Sequence, residues 1–273
     1  MLKRTLSGAV YVAVIAGIFL LREFVSPLFF MGLILAFIGI GTYEMLRAFR
    51  AKLTISQMVA VSVYAAVYLP IAYFWQITGI AALTAAIVVA VLCLLVFDGK
   101  TTLDGLGSAL LCAFYPTGLS FGMALANDFA VGSLPVLVMM FVIPACADTF
   151  AYLVGRAVKG PKLCPTVSPN KTISGAVGGL LGGGAGAVAI YFIFRSQAAV
   201  TAAMAGWLSY FLVGLATSVV TIIGDLIESS IKRRLEIKDM GNLMPGHGGI
   251  LDRIDGTLIG SIFLYVVFSV FFI

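Results

Sequence analysis

Charge is scarce in this sequence: Asp, Glu, Lys and Arg together make up 11% of its 273 residues. A soluble domain of that length carries about 25%, so a water-solvated globule is excluded. Cysteine is equally sparse. Cys93, Cys112, Cys146 and Cys164 show no CxxC or CxxH spacing, so neither a zinc site nor a redox motif is expected. Three of the four sit in apolar runs, as small packing hydrophobes do. Histidine occurs once, at position 247. The glycine-rich segment GGLLGGGAGA (178–187) lacks the Gly-Lys-Ser/Thr ending of a phosphate-cradling loop. Its small residues at four-residue spacing (Gly175, Gly179, Gly183) predict close helix packing instead. The first apolar run lacks a small-x-small cleavage site and reads as a retained helix, not a cleaved signal peptide.

What is present is oil. Hydrophobic residues make up 61% of the chain, and the mean hydropathy is +1.11. A membrane-spanning helix needs about 20 apolar residues. Nine such runs occur, at 6–21, 28–46, 53–74, 77–97, 103–126, 132–154, 172–194, 205–229 and 254–273. The pattern predicts an all-α polytopic membrane protein with about nine transmembrane helices. Cytoplasmic loops collect Lys and Arg. With the N-terminus placed inside, fifteen of the seventeen basic residues fall in inner segments, and only Arg22 and Arg195 fall outside. That predicts a cytoplasmic N-terminus and an outer C-terminus. The net charge of +5 is then a topology signal, and nucleic acid is not an expected partner. Two parts are expected: an N-terminal transmembrane region, 1–130, of about five helices, and a C-terminal catalytic region, 131–273. The second holds the long inner loops, 155–171 and 230–253.

An ionisable side chain inside a span costs at least a few kcal/mol and marks a functional site by default. The sixth run carries Asp148, and the eighth carries Asp225 and Glu228. Asp225, Glu228 and Ser229 share one helix face by spacing. Asp252 and Asp255 stand three apart at the entrance to the ninth run. Carboxylates gathered at one depth repel unless a cation lies between them, and Mg²⁺ takes one or two carboxylates plus substrate phosphates. Pairing with Arg and Lys of the same loops is the alternative, most open for Glu228, Asp239 and Asp255. The loop GRAVKGPKLCPTVSPNKTISG brings Arg156, Lys159, Lys162 and Lys171 together with Ser168, Thr172 and other hydroxyls, a set suited to phosphate oxygens. The stretch MPGHGGILDRID (244–255) surrounds His247 with Gly246, Gly248 and Gly249, which let a backbone approach an anion closely.

These residues carry a resemblance. The run Ser230-Ile-Lys232-Arg233-x4-Lys238-Asp239, followed by Pro245-Gly-His247-Gly-Gly-Ile-Leu-Asp252-Arg253-Ile-Asp255, is similar throughout its spacing to the signature of the phosphatidate cytidylyltransferases. Ser168-Pro-Asn-Lys171-Thr172 and Asp148-Thr-Phe-Ala-Tyr152 resemble the same family. The resemblance spans about 148–273. Two positions depart: Asn170 stands where the family usually has lysine, and Ser174 where it commonly has an acidic residue.

The resemblance implies that CTP and phosphatidic acid give CDP-diacylglycerol and pyrophosphate, with Mg²⁺, at the cytoplasmic face of the cell (inner) membrane, in a possible homodimer. Asp225, Asp252 and Asp148 would hold the metal. Lys171, Lys232, Arg233 and Arg253 would neutralise phosphates. His247 with Gly246, Gly248 and Gly249 would contact the triphosphate, and Ser168 and Thr172 would hydrogen-bond a phosphate. The closest alternative is a CTP-dependent polyprenol or phytol kinase, in which His247 would serve as base. An ion-coupled transporter is the alternative from another class, but the polar groups are confined to the C-terminal half and no internal repeat is visible.

Overall fold

A computed structural model describes residues 2–129, 132–196, 206–244, 246 and 248–272. The chain is almost entirely helical: α1 (Leu2–Phe24), α2 (Leu28–Ala48), α3 (Ile55–Phe97), α4 (Leu103–Phe114), α5 (Phe121–Ala126), α6 (Ser133–Val158), α7 (Ile173–Phe194), α8 (Trp207–Arg234) and α9 (Leu251–Phe272). Eight segments among the described residues are long and apolar enough to cross a membrane, α4 and α5 counting as one segment. The nine runs of the sequence reduce to eight helical segments because 53–74 and 77–97 are the two arms of α3. They meet at Gln76, whose φ of 47° and ψ of −136° break the helix.

The chain divides into two compact units, Met1–Leu125 with Ile237–Arg253, and Ala126–Glu236 with Ile254–Ile273. The segment 237–253, expected in the C-terminal region, thus packs with the N-terminal helices.

In the first unit the core lies among α2, α3 and α4. Phe30, Ile34, Ile38, Met45, Tyr64 and Tyr68 are fully buried. Tyr64 meets Tyr68 edge-on at 5.6 Å between ring centroids, and Tyr68 donates its hydroxyl to the Gly118 carbonyl at 3.3 Å. Local sequence sets the helix starts. Thr54 caps α3 in a reciprocal box, its hydroxyl accepting the Gln57 N–H at 3.3 Å while its own N–H donates to Gln57 Oε1 at 2.9 Å. Thr102 caps α4 by accepting the Gly105 N–H at 3.0 Å.

In the second unit α7 lies between α6 and α8, and its glycines explain how. A Cβ at Gly179 would stand 3.0 Å from the Ala147 carbonyl oxygen of α6. One at Gly184 would stand 2.7 Å from the Phe211 ring of α8. The helices therefore approach to backbone contact, which only small residues permit. The loop before α7, expected to be irregular, holds a small antiparallel hairpin: β1 (Lys162–Cys164) and β2 (Ser168–Thr172), in register Lys162 to Thr172 and Cys164 to Ser168.

Candidate active site

The hairpin and the ends of α6, α7 and α8 enclose a cavity of about 810 Å³ in the second unit. α6 contributes Asp148, Tyr152 and Arg156, and α8 contributes Asp225. The hairpin side contributes Lys159, Lys162, Asn170, Lys171 and Thr172. Four of these side chains are cationic, so the cavity favours an anion. Arg156 donates to the Tyr152 hydroxyl at 3.0 Å, one helical turn back. Thr172 ends β2 and caps α7, accepting the Gly175 N–H at 3.0 Å. Its hydroxyl is therefore committed to the helix start as well as facing the cavity. Ser174, at the departure from the family pattern, donates to the Lys159 carbonyl. It holds the positive-φ bend at Lys159 and Gly160 in place.

Lys171 forms an ion pair with Asp225 across the cavity wall. Burial holds its ammonium below the ordinary lysine range. The carboxylates Asp148 and Asp255 oppose that shift, and Lys232 adds to it.

Asp225, Glu228 and Asp255 form a carboxylate cluster whose ligand oxygens lie within 4.8 Å of one another. The first two stand on one face of α8, as their spacing predicts. Glu228 is fully buried, and Lys232 donates to its Oε2 at 2.5 Å. Two like unit charges about 4 Å apart cost about 4 kcal/mol at an effective dielectric near 20, so three such groups require cations beside them. Lys171 and Lys232 are placed to serve. All three donors are hard oxygens, the set that Mg²⁺ or another hard divalent cation takes. These donors fit the group the resemblance implies; of the three expected ligands Asp225 belongs to this cluster, and Asp148 and Asp252 stand elsewhere.

Asp148 lines the cavity instead. Asp252 has a different task in the first unit: its Oδ2 accepts the N–H groups of Met240 at 2.9 Å and Gly249 at 2.8 Å. Gly248 sits so close to it, at φ +85°, that a Cβ would come within 2.7 Å of Oδ2. Gly246 is also at positive φ, and Met244 and Gly248 form an isolated antiparallel bridge.

Among the remaining expected residues, Lys232 is buried on Glu228 rather than presented to solvent. Arg233 donates Nε to the Val167 carbonyl at 3.3 Å, tying α8 to the hairpin turn. Arg253 is exposed, and Ser168 opens β2 opposite Cys164. His247 lies outside the described residues.

One residue escapes the sequence reading. Ionisable groups are expected inside two spans only, yet Glu44 lies within α2 at 3% exposure. Its two carboxylate oxygens accept the N–H groups of Ile250 and Leu251, each at 3.0 Å. Three residues before Arg47, it resembles half of a helix-surface ion pair. The signal that sets it apart is its position inside an apolar run.

Comparison with known proteins bears on the same residues. The model of the cytidylyltransferase family matches residues 2–271. A phosphatidate cytidylyltransferase of Bacillus subtilis is 32% identical over 282 aligned residues, covering 99% of this chain and 98% of that protein. One from Brucella abortus is 39% identical over 158 residues, 58% of this chain and 56% of its own. One from Thermotoga maritima is 34% identical over 156 residues, 56% of this chain and 54% of its own. The chain thus spans about half the length of the Brucella and Thermotoga relatives it matches, and nearly all of the Bacillus one. With a family match running from α1 to α9, and a relative aligned over almost its whole length, the chain belongs to the cytidylyltransferase family.

Proposed function

We propose that the chain transfers the cytidylyl group of CTP to phosphatidic acid, giving CDP-diacylglycerol and pyrophosphate. The observation that carries this reading is the pairing of Lys171 with Asp225 in a cavity lined by Arg156, Lys159 and Lys162. Cations for phosphates and a carboxylate of the oxygen cluster meet there. The names of the full-length and partial relatives support the same substrates.

The chemistry asks little of a base. The second pKa of a phosphate monoester is about 6, so the phosphatidic acid oxygen is already largely ionised near neutral pH. That oxygen attacks the α-phosphorus of CTP. The bond from the α-phosphorus to the bridging oxygen of the β-phosphate breaks, and pyrophosphate leaves with the electron pair. The obstacle is repulsion between two polyanions, so catalysis consists of positioning and neutralisation. Lys171, Lys159, Lys162 and Arg156 bind phosphate oxygens in the cavity. Asp225, Glu228 and Asp255 would hold Mg²⁺, which supplies further neutralisation of the triphosphate when bound. Lys232 acts from behind by holding Glu228.

We read the N-terminus as cytoplasmic and the site as facing the cytoplasm of the cell membrane, on the distribution of Lys and Arg. A homodimer has support from the resemblance alone, because the glycines of α7 pack within the unit.

The test uses purified protein in mixed micelles with phosphatidic acid, Mg²⁺ and CTP labelled at the α or the γ phosphorus. Transfer of α-label to lipid, with γ-label released as pyrophosphate, is expected. γ-Label entering an added polyprenol would replace this reading with a lipid kinase.

A further inference from the structure

A second cavity, of about 360 Å³, lies wholly within the first unit, between α2 and the segment 240–243. Gly39, Ile40, Tyr43 and Arg47 line it from α2. Their spacing puts them on one stripe of the helix, a turn apart. At 1.5 Å per residue the stripe runs about 12 Å. It begins inside the span at Gly39 and ends at Arg47, in the last turn of α2. Met240, Gly241, Asn242 and Leu243 form the facing wall. Glu44 also borders the cavity, but both of its oxygens are taken by the amides of Ile250 and Leu251.

Polarity changes along this stripe. The deep end, at Gly39 and Ile40, is apolar, and the outer end carries a guanidinium. Arg47 is exposed, and among the described residues no carboxylate lies within ion-pair distance of it. Tyr43 and Leu243 are 63% and 57% exposed, so the cavity opens at the surface of the unit. Gly39 is exposed as well, and a Cβ there would meet no atom within 4 Å. Arginine and tyrosine near the end of a span stand at headgroup depth. The stripe of about 12 Å then stays within one leaflet of a hydrocarbon core about 30 Å thick.

We propose that this cavity binds a phospholipid of net negative charge, with its phosphate on Arg47 and part of an acyl chain between α2 and the segment 240–243. A guanidinium suits phosphate oxygens, which it can take two at a time. The order of polarity matches a lipid standing in the leaflet, phosphate outward and chain inward. A nucleotide triphosphate calls for more than the one cation present. A free anion has no use for the apolar part, and a peptide would leave backbone groups unpaired there. This lipid is a bound component, distinct from the acceptor of the reaction, and the inference does not depend on the cytidylyltransferase reading.

The test uses full-length protein in phosphatidylcholine-containing micelles with phosphatidylglycerol that carries a photoactivatable diazirine in one acyl chain. After illumination, labelled peptides are read by mass spectrometry. Adducts are expected in peptides covering 39–47 and 240–243. Unlabelled phosphatidylglycerol and phosphatidic acid should both suppress them, and extra phosphatidylcholine or inorganic phosphate should not. Arg47→Gln removes the charge, and Gly39→Leu fills the deep end from a position with open space. Each should lower labelling of these peptides about tenfold, the scale of losing a hydrogen bond to a charged group, while adducts on other helices stay as in wild type.

Suppression by phosphatidylcholine as strong as by phosphatidylglycerol would overturn the proposal, as would suppression by inorganic phosphate. Competition by phosphatidic acid alone would give the cavity to the substrate and overturn it too. So would labelling that persists in both variants, or contacts there with a second copy of the chain and no lipid adduct. Where a variant does not fold, the wild-type competition series decides by itself.

Discussion

Lys232 Nζ lies 2.5 Å from Glu228 Oε2, one turn back along α8, and Glu228 has no exposed surface. Breaking a buried ion pair from one side leaves an uncompensated charge and costs about 3–5 kcal/mol. The two sides are unequal here. Lys232→Met strands Glu228 beside Asp225 and Asp255, whereas Glu228→Gln removes one of three mutually repelling groups. Thermal unfolding in detergent should show a larger loss for Lys232→Met than for Glu228→Gln. The double variant should be more stable than Lys232→Met alone. Equal losses would mean that the cluster carries no net repulsion.

Asp225 stands in both the cation-lined cavity and the carboxylate cluster. Asp225→Asn should lower turnover by about 10²-fold or more, the scale of losing one preorganised electrostatic group. The half-saturating Mg²⁺ concentration should rise in the same variant. A turnover close to wild type, with unchanged Mg²⁺ dependence, would remove Asp225 from the site.

For Lys171 the pH dependence has a definite sign. Burial lowers the folded pKa below the ordinary lysine value, and the binding form is the cation. The cation is present below the lowered pKa and lost as pH rises through it. Turnover should therefore fall on the alkaline side before an exposed lysine would discharge. Lys171→Arg, whose guanidinium stays charged, should move that limb to higher pH even if its maximum rate is lower. An alkaline limb that does not move would assign it to another group.

Helix packing in the second unit offers a contrast within one residue type. Gly179→Leu forces a side chain onto the Ala147 carbonyl and the Ala151 methyl. Overpacking of this kind costs about 1–3 kcal/mol or more. Gly32 in α2 has no atom within 4 Å of its Cβ position, and Gly32→Ala should be neutral or gain up to about 1 kcal/mol of helix propensity. Melting temperatures of the two variants check this.

The helices were legible because lipid imposes a length and a composition that few other structures share. Even the division of α3 was visible, since the apolar runs break close to Gln76. The hairpin at Lys162–Thr172 was not, because three- and five-residue strands full of Lys, Pro and Ser carry no alternating pattern. For the site, spacing along α8 put Asp225 and Glu228 together without help from tertiary structure. That Asp255 joins them and Asp252 does not was not open to such reasoning. Both stand in the first two turns of α9, and only the placement of Met240 and Gly249 shows that Asp252 is occupied by amides. Glu44 was missed for the same reason. A carboxylate one turn from an arginine near a helix end looks local, and its partners lie about two hundred positions away.

The glycines of α7 also determine where this protein can vary. Glycine positions on a packed face have no side chain to repack, so any change in size there must be absorbed by the neighbours. Phe150 and Val154 fill the space above Gly182 and Gly178, and Phe211 fills that above Gly184. Substitutions at those three large residues can be compensated only on α6 or α8 themselves, never from across the interface. Tolerance to mutation is thus one-sided. The wall that supports the cavity is held by a helix face that has few rotamers to exchange, so its shape changes chiefly when backbones move.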